Sequence, residues 1–579
     1  LGIGDWGLGT GGKKKKKRYI FPVPYSLFPI PYSLFPDNII EVGKFGKSHL
    51  LWDEKRVIEA EVHLSLHNFL RSQAGFPSWN HHLTMARLVA RALRLGRSAL
   101  IQVGAVCGYQ GRYRTSFIAS ALMWQGPVII VASETVQQRL LNIEIPRLQQ
   151  WLSANKPIRT GAVWPGSDFQ GLLLTSPQAW LKGQLADHDS FPLNIPTIID
   201  GVDDLEDWVR DQLTQDIQPH DWDQLMLACP QEAEVIREAR VKLTHELFQH
   251  PENPYHCYLI SQTEIEILQG LFLALDSDID NLPDVWRNLR QQFQNCLDHC
   301  ADPISPSPAL FWATIARRQG LFSLHYAPME LAKILAPIWQ RQPVVLLGSA
   351  LEPETEAPLF RQRLGLEDVT CLKFSTDSQG EAIQLYAPYK LPLPNTPEFQ
   401  GAFIHQVRTL VCLSATSPGM TVVLVGDVPL KSKVGAILAS EFGSRVQVEK
   451  TCLDENGILV TGWEFWRSHQ NVLPAPRLLI IATLPLPSLE NPLVAGRVAY
   501  YKRSHQDWFR LYLLPTALNE LQRAIAPVRE HQGIVALLDS RVANRSYGVQ
   551  ILAVLSPLAR LNYLDPSLFS QPNEENSDG

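Results

Sequence analysis

Residues 99–133, ALIQVGAVCGYQGRYRTSFIASALMWQGPVIIVAS, constrain the fold more than any other stretch. An apolar strand (Ala99 to Val103), a glycine-bearing turn, a helix (Thr115 to Trp124) and a second apolar strand (Val128 to Ala132) follow in close succession. Strands without polar alternation are buried on both faces, and two of them joined through a helix lie parallel. The turn faces a helix N-terminus, whose unpaired N–H groups and positive dipole end suit phosphate. Against the phosphate-loop pattern G-x-x-x-x-G-K-[ST], the best register opens at Gly108, passes Gly111 and closes on Tyr113, Arg114 and Thr115. Arg114 brings positive charge where lysine is expected, and Thr115 brings a hydroxyl suited to magnesium. Tyr113 is the misfit, because a glycine there lets the backbone approach the phosphates. Arginine is also broader than the lysine that fits between them.

The chain has 579 residues, enough for about three or four domains. Hydrophobic residues at 45% and charged residues at 19% mark a folded protein. A net charge of −6 argues against a wholly basic nucleic-acid coat while leaving room for a local basic groove. No apolar run is long enough to span a bilayer, so no membrane partner and a cytoplasmic location are expected. The cysteines are scattered, which excludes a disulfide framework. In CLDHC, Cys296, His299 and Cys300 share a helix face; a zinc site there needs Cys229 or Cys257 as well, and packed thiols are the plainer reading.

Residues 1–36 look foreign to the rest: a basic run, GGKKKKKR, precedes FPVPYSL and its near-repeat FPIPYSL. A translated tandem repeat or misplaced start is expected there, with a basic nucleic-acid tail as the rival. Residues 42–204 have the rhythm of a parallel α/β lobe, with further strands at Gly171 to Thr175 and Thr197 to Asp200. Residues 205–340 interrupt it with amphipathic helix, and PVVLLGS and VTCLKF continue it over 341–375. A second α/β lobe over 395–565 carries MTVVLVGD, RVQVEK, GILVTG, RLLIIATLP, GIVALLDSR and VQILAVL. The polar tail 570–579 is expected to be disordered. The fold class is therefore α/β, two parallel-sheet lobes with a helical insertion in the first.

The order of short segments, from about His67 to Leu555, resembles the DinG/XPD branch of superfamily 2 DNA helicases. After the loop come PVIIVASETVQQRLLNIEIPRL, LLLTSPQAWL and PTIIDGVDDLEDW, the last in the place of the acidic DEAH box. VVLLGSALEPETEAPLFRQRLGL follows the insertion, then ILVTGWEFW, LPLPSLENPLVAGRVAYY, LPTALNELQRAIAPVR and LLDSRVANRSYG. The resemblance implies two RecA-like lobes of the P-loop NTPase fold, an arch-like insertion, ATP and magnesium as cofactors and single-stranded DNA as partner. It also implies, in many members, an iron–sulfur cluster held by four cysteines ahead of the acidic box. Residues 112–200 contain no cysteine, so no cluster is expected.

Carried over residue by residue, the resemblance makes Asp200 the magnesium-associated aspartate, with Thr115 as second ligand, and Arg529 the retained arginine of the last motif. Gly108, Gly111, Arg114 and Thr115 are the phosphate loop, His82 stands at the adenine-reading glutamine, and Trp463, Phe465 and Trp466 are candidates for stacking on bases. Several positions depart from the pattern. The glutamate that orients water is Gly201, the box histidine is Asp203, the earlier arginine of the last motif is Ala526, and an acidic position is Arg467. Loss of one transition-state arginine alone costs about 10³ to 10⁵ in rate. A register shifted by a residue or two makes Glu206, Asp204, Arg112 and Arg523 the groups to consider. Three readings stay open: a monomeric helicase-fold protein that binds single strands with ATPase weakened or lost, a working 5′ to 3′ helicase in DNA repair or replication, and a non-enzymatic protein scaffold.

Overall fold

The structure is a computed structural model that describes residues 57–72, 79–152, 155–186, 190–300, 307–374, 382–415 and 418–563. The leader 1–36, the tail 570–579 and the side chains of His299 and Cys300 lie outside the described residues, while Cys296 is buried. In chain order the strands are β1 (Ala99–Gln102), β2 (Val128–Val131), β3 (Ile158–Thr160), β4 (Leu172–Thr175), β5 (Thr197–Asp200), β6 (Gln215–Ile217), β7 (Cys257–Leu259), β8 (Ala309–Ala316) and β9 (Leu321–Pro328). They continue with β10 (Val344–Gly348), β11 (Thr370–Lys373), β12 (Ile383–Tyr386), β13 (Thr421–Leu424), β14 (Val446–Val448), β15 (Ile458–Thr461), β16 (Leu478–Ile481), β17 (Ile534–Leu537) and β18 (Leu558–Leu561).

Lobe 1 is a parallel sheet in the order β11-β1-β10-β5-β2-β4-β3. Its strands bury alternate residues on opposite faces, which is why they read as unbroken apolar runs. Ile101, Ile130, Leu174 and Ile198 meet the helices α1 (Ile58–Ser72), α2 (His82–Leu95) and, beyond the short helix α3 (Ala105–Gln110), α4 (Arg114–Met123). Leu100, Ile129, Leu173 and Ile199 meet Trp180, Leu205, Val209, Leu335 and Ile338 on the other face. The helices Leu205–Leu213 and Ala332–Arg341 thus pack with lobe 1. Lobe 2 repeats the plan in the parallel order β14-β15-β13-β16-β17-β12-β18, again with a core on each face.

The insertion is not the helical segment its composition suggests. Helices Pro219–Ala228, Ala233–Gln249, Gln262–Ala274 and Asp284–Cys300 pack on an antiparallel sheet in the order β6-β9-β8-β7. Strands β8 and β9 form a hairpin of two eight-residue strands around Gly320, whose φ of 67° suits glycine. Trp222 and Trp286 are fully buried between the layers, and the Trp286 Nε1–H donates to the Asp221 carbonyl at 3.0 Å. One apolar run in lobe 2 also changes type: VQILAVL belongs to the helix Gly548–Val554, since a short, mostly apolar run fits a buried strand or a helix equally well. Among the described residues no helix is long and apolar enough to cross a membrane.

Candidate nucleotide site and inter-lobe cleft

The loop between β1 and α4 is wound up rather than open. Residues 105–110 form a helical turn, Gly111 ends it at φ 66°, and Tyr113 stands at the N-cap of α4. Its N–H groups donate within the loop: Gly108 to Gly104 O at 2.9 Å, Gly111 to Gly108 O at 3.1 Å, Arg112 to Cys107 O at 3.3 Å and Arg114 to Gly111 O at 3.1 Å. Donors already paired with carbonyls are not laid out for phosphate oxygens. Gly108 is fixed by packing, because a Cβ there would lie 2.3 Å from the Ser349 Cβ. Thr115 is buried in the first turn of α4.

The misfit residue has a partner. The Tyr113 hydroxyl donates to Asp200 Oδ1, and the Arg114 Nε–H donates to Asp200 Oδ2 at 3.0 Å. The Asp200 side chain is 2% exposed and that of Arg114 13%. Burial, and after it the Asp200 charge, push the Tyr113 phenol well above its ordinary pKa, so it stays a donor. The carboxylate aligned with magnesium ligation is therefore answered by two side chains of its own chain. Beyond it, Gly201 sits at φ 80°, a conformation a glutamate would strain. Asp203, at the box histidine, accepts from Ser349 N (2.7 Å), Ser349 Oγ (2.8 Å) and Ala350 N (3.0 Å), tying the box to the segment after β10.

Several contacts across to lobe 2 involve the helix Leu514–Glu530 and the residue after the helix Trp463–His469. Arg523 makes a two-pronged pair with Asp204, at 2.5 and 3.1 Å, and Arg112 reaches Glu530 at 3.0 Å. The Tyr109 hydroxyl donates to the Gln470 carbonyl at 3.1 Å. Arg523, Asp204 and Arg112 are residues that the shifted register brings forward. Arg529, the aligned arginine, points elsewhere: it is buried and donates to the carbonyls of Leu555, Ser556 and Pro557 in lobe 2. Six residues rotate a helix by about 600°, which sets Arg523 and Arg529 roughly 120° apart.

His82 is buried, with Nδ1 2.9 Å from Ser116 Oγ and Trp79 edge-on at 5.3 Å, so it packs against α4. Trp466 is core: it is 1% exposed and its Nε1–H donates to Ala524 O at 3.1 Å. Phe465 is partly buried on that core and stacks on His469 at 4.2 Å. Trp463 lines a cleft of ≈ 2400 Å³ that also takes in Asp203, Glu206, Arg467 and Arg523. Carboxylates outnumber guanidiniums along it. Arg467 is exposed and lies 3.9 Å from Glu520. Glu206 is shared by Arg210 at 2.9 Å and Arg363 at 3.3 Å; burial raises its pKa, but Arg363, Arg210 and Arg497 outweigh burial and hold it at about 2.

Residues 473–558 match the helicase C-terminal domain family. Part of the chain is thus homologous to helicases. Over 264 residues the chain is 23% identical to the ATP-dependent DNA helicase YoaA of Escherichia coli K12, a match spanning 43% of this chain and 41% of the relative. Its fold is similar to a solved XPD helicase, with a TM-score of 0.52 at 11% identity over 84% of this chain and 100% of that one. The Xpd4 structure from S. tokodaii gives 0.51 at 12% identity, over 83% and 100%. ATP and magnesium are what this homology implies. The residues present do not fit them as they stand, because Tyr113 and Arg114 hold Asp200 and the loop N–H groups are paired internally.

Proposed function

We propose that this chain is a monomeric helicase-fold protein, cytoplasmic and without an iron–sulfur cluster, that binds single-stranded nucleic acid, DNA above all, and does not turn over ATP. The observation that carries the reading is the capture of Asp200 by Tyr113 and Arg114. Gly201 adds to it, since no carboxylate stands there to orient water and the backbone disfavours one. The apolar framework of both lobes is intact, so what has been lost is chemistry and not the fold.

The second reading is an ATP-dependent DNA helicase, which the name of the YoaA relative favours. Hydrolysis of magnesium-ATP by the full chain, with and without a single-stranded oligonucleotide, separates the two. No stimulated turnover in a protein that still retains the oligonucleotide is the expected result. Turnover that is stimulated by DNA and abolished in Asp200→Asn refutes the proposal.

A further inference from the structure

Helix α2, HLTMARLVARALRL, contains no carboxylate. Thr84, Arg87, Arg91 and Arg94 recur at three- and four-residue steps and are all exposed, forming one outward row of ~15 Å. Arg94 is held by Glu59 of α1, 2.6 Å from Oε1, whereas Arg87 and Arg91 have no ion pair or hydrogen bond among the described residues. Like charges one turn apart destabilise a helix. The α1–α2 hairpin carries Arg71, Arg87, Arg91, Arg94 and Arg97 against Glu59 and Glu61, although the chain as a whole is at −6. Beside Arg87, the His63 and His67 rings of α1 lie parallel, 6.3 Å apart, and His63 Nδ1 has no partner among the described residues. Burial, and after it Arg87, hold His63 below its ordinary pKa, so the positive charge of the row comes from its arginines. No residue of this hairpin lines the inter-lobe cleft.

We infer that the outer face of the α1–α2 hairpin is a docking surface for the phosphodiester backbone of nucleic acid, separate from the inter-lobe cleft. A straight row of guanidiniums suits a linear polyanion, and each guanidinium fork matches two phosphate oxygens. The exposed Thr84 hydroxyl adds an uncharged donor of the kind that backbone contacts commonly use. The cleft, with its excess of carboxylates, is electrostatically the poorer place for a phosphate chain. This inference rests on the nucleic-acid reading above but not on the state of the nucleotide site.

The test is the salt dependence of binding of a fluorescein-labelled oligothymidylate to the full chain, to Arg87→Gln/Arg91→Gln and to Arg87→Lys/Arg91→Lys. Both positions are exposed, so melting should not fall. Each single-strand phosphate contact contributes about 0.7 to the slope of log K against log salt. The glutamine pair is expected to shallow the slope by about 1.4 and weaken binding several-fold, and the lysine pair to keep the wild-type slope. An unchanged slope in the glutamine pair overturns the inference and leaves nucleic-acid binding standing. Wild-type protein that binds no oligonucleotide overturns both. Polyglutamate that competes equally, and loses its hold in the same glutamine variant, overturns the nucleic-acid assignment in favour of an acidic protein partner.

Discussion

Arg114→Met tests whether Asp200 is a captive carboxylate or a ligand in waiting. The Asp200 side chain is 2% exposed and has two donors, one of them cationic at 3.0 Å. Removing the cation leaves a buried charge with the Tyr113 hydroxyl alone, and breaking a buried pair by deleting one partner costs about 3–5 kcal/mol. Asp200→Asn strands Arg114 in the same way. The double variant removes both charges together, so its cost should fall short of the sum of the singles by at least about 2 kcal/mol. Hydrogen exchange of peptides covering β5 and α4 reads the local opening free energy without assuming that so large a chain unfolds in one step. Arg114→Met should raise the opening frequency by roughly two to four powers of ten. An increase under tenfold, or additive single and double variants, would refute the reasoning and return Asp200 to the role of metal ligand.

Glu206 should give lobe 1 an acid-sensitive component. Its folded pKa of about 2 lies below the ordinary 4.5, so its stabilisation is complete above about pH 4.5 and disappears as pH falls towards 2. That difference is on the order of 3 kcal/mol at most; melting of Glu206→Gln should fall below wild type at neutral pH and converge with it near pH 2, and parallel curves would refute the arginine cluster as the cause. Trp466→Ala should cost about 3–5 kcal/mol in lobe 2, as for a fully buried aromatic. Unchanged melting with lost oligonucleotide binding would instead make Trp466 a stacking residue.

Much of the framework is legible in the chain because buried parallel strands declare themselves as apolar runs. The segments read at 99–103, 128–132, 171–175 and 197–200 are β1, β2, β4 and β5 to within a residue. Strand β3 has no such signal, since its three residues are half-buried or exposed at the sheet edge. The hairpin of β8 and β9, in ALFWATIA, RRQG and LFSLHYAP, is passed over in a segment read as amphipathic helix, because the surrounding helices dominate its composition. The site is less legible. That Tyr113 replaces a glycine can be read locally; that its hydroxyl reaches a carboxylate 87 residues away cannot. Motif spacing selected Arg529, whereas the helix face turned towards lobe 1 carries Arg523, paired with an aspartate 319 residues distant.

The bridges from Arg523 to Asp204 and from Arg112 to Glu530 also bear on how the molecule comes apart. Domains joined only by a tether melt independently, each at its own temperature, whereas domains stitched through partly buried charges lose a share of each other's stability when either fails. The guanidinium of Arg523 and its aspartate are mostly withdrawn from water, with side-chain exposures of 19% and 33%, so salt screens them less than a surface pair. The two sheets are thereby coupled in unfolding, and a lesion at this seam is felt in the cores of both.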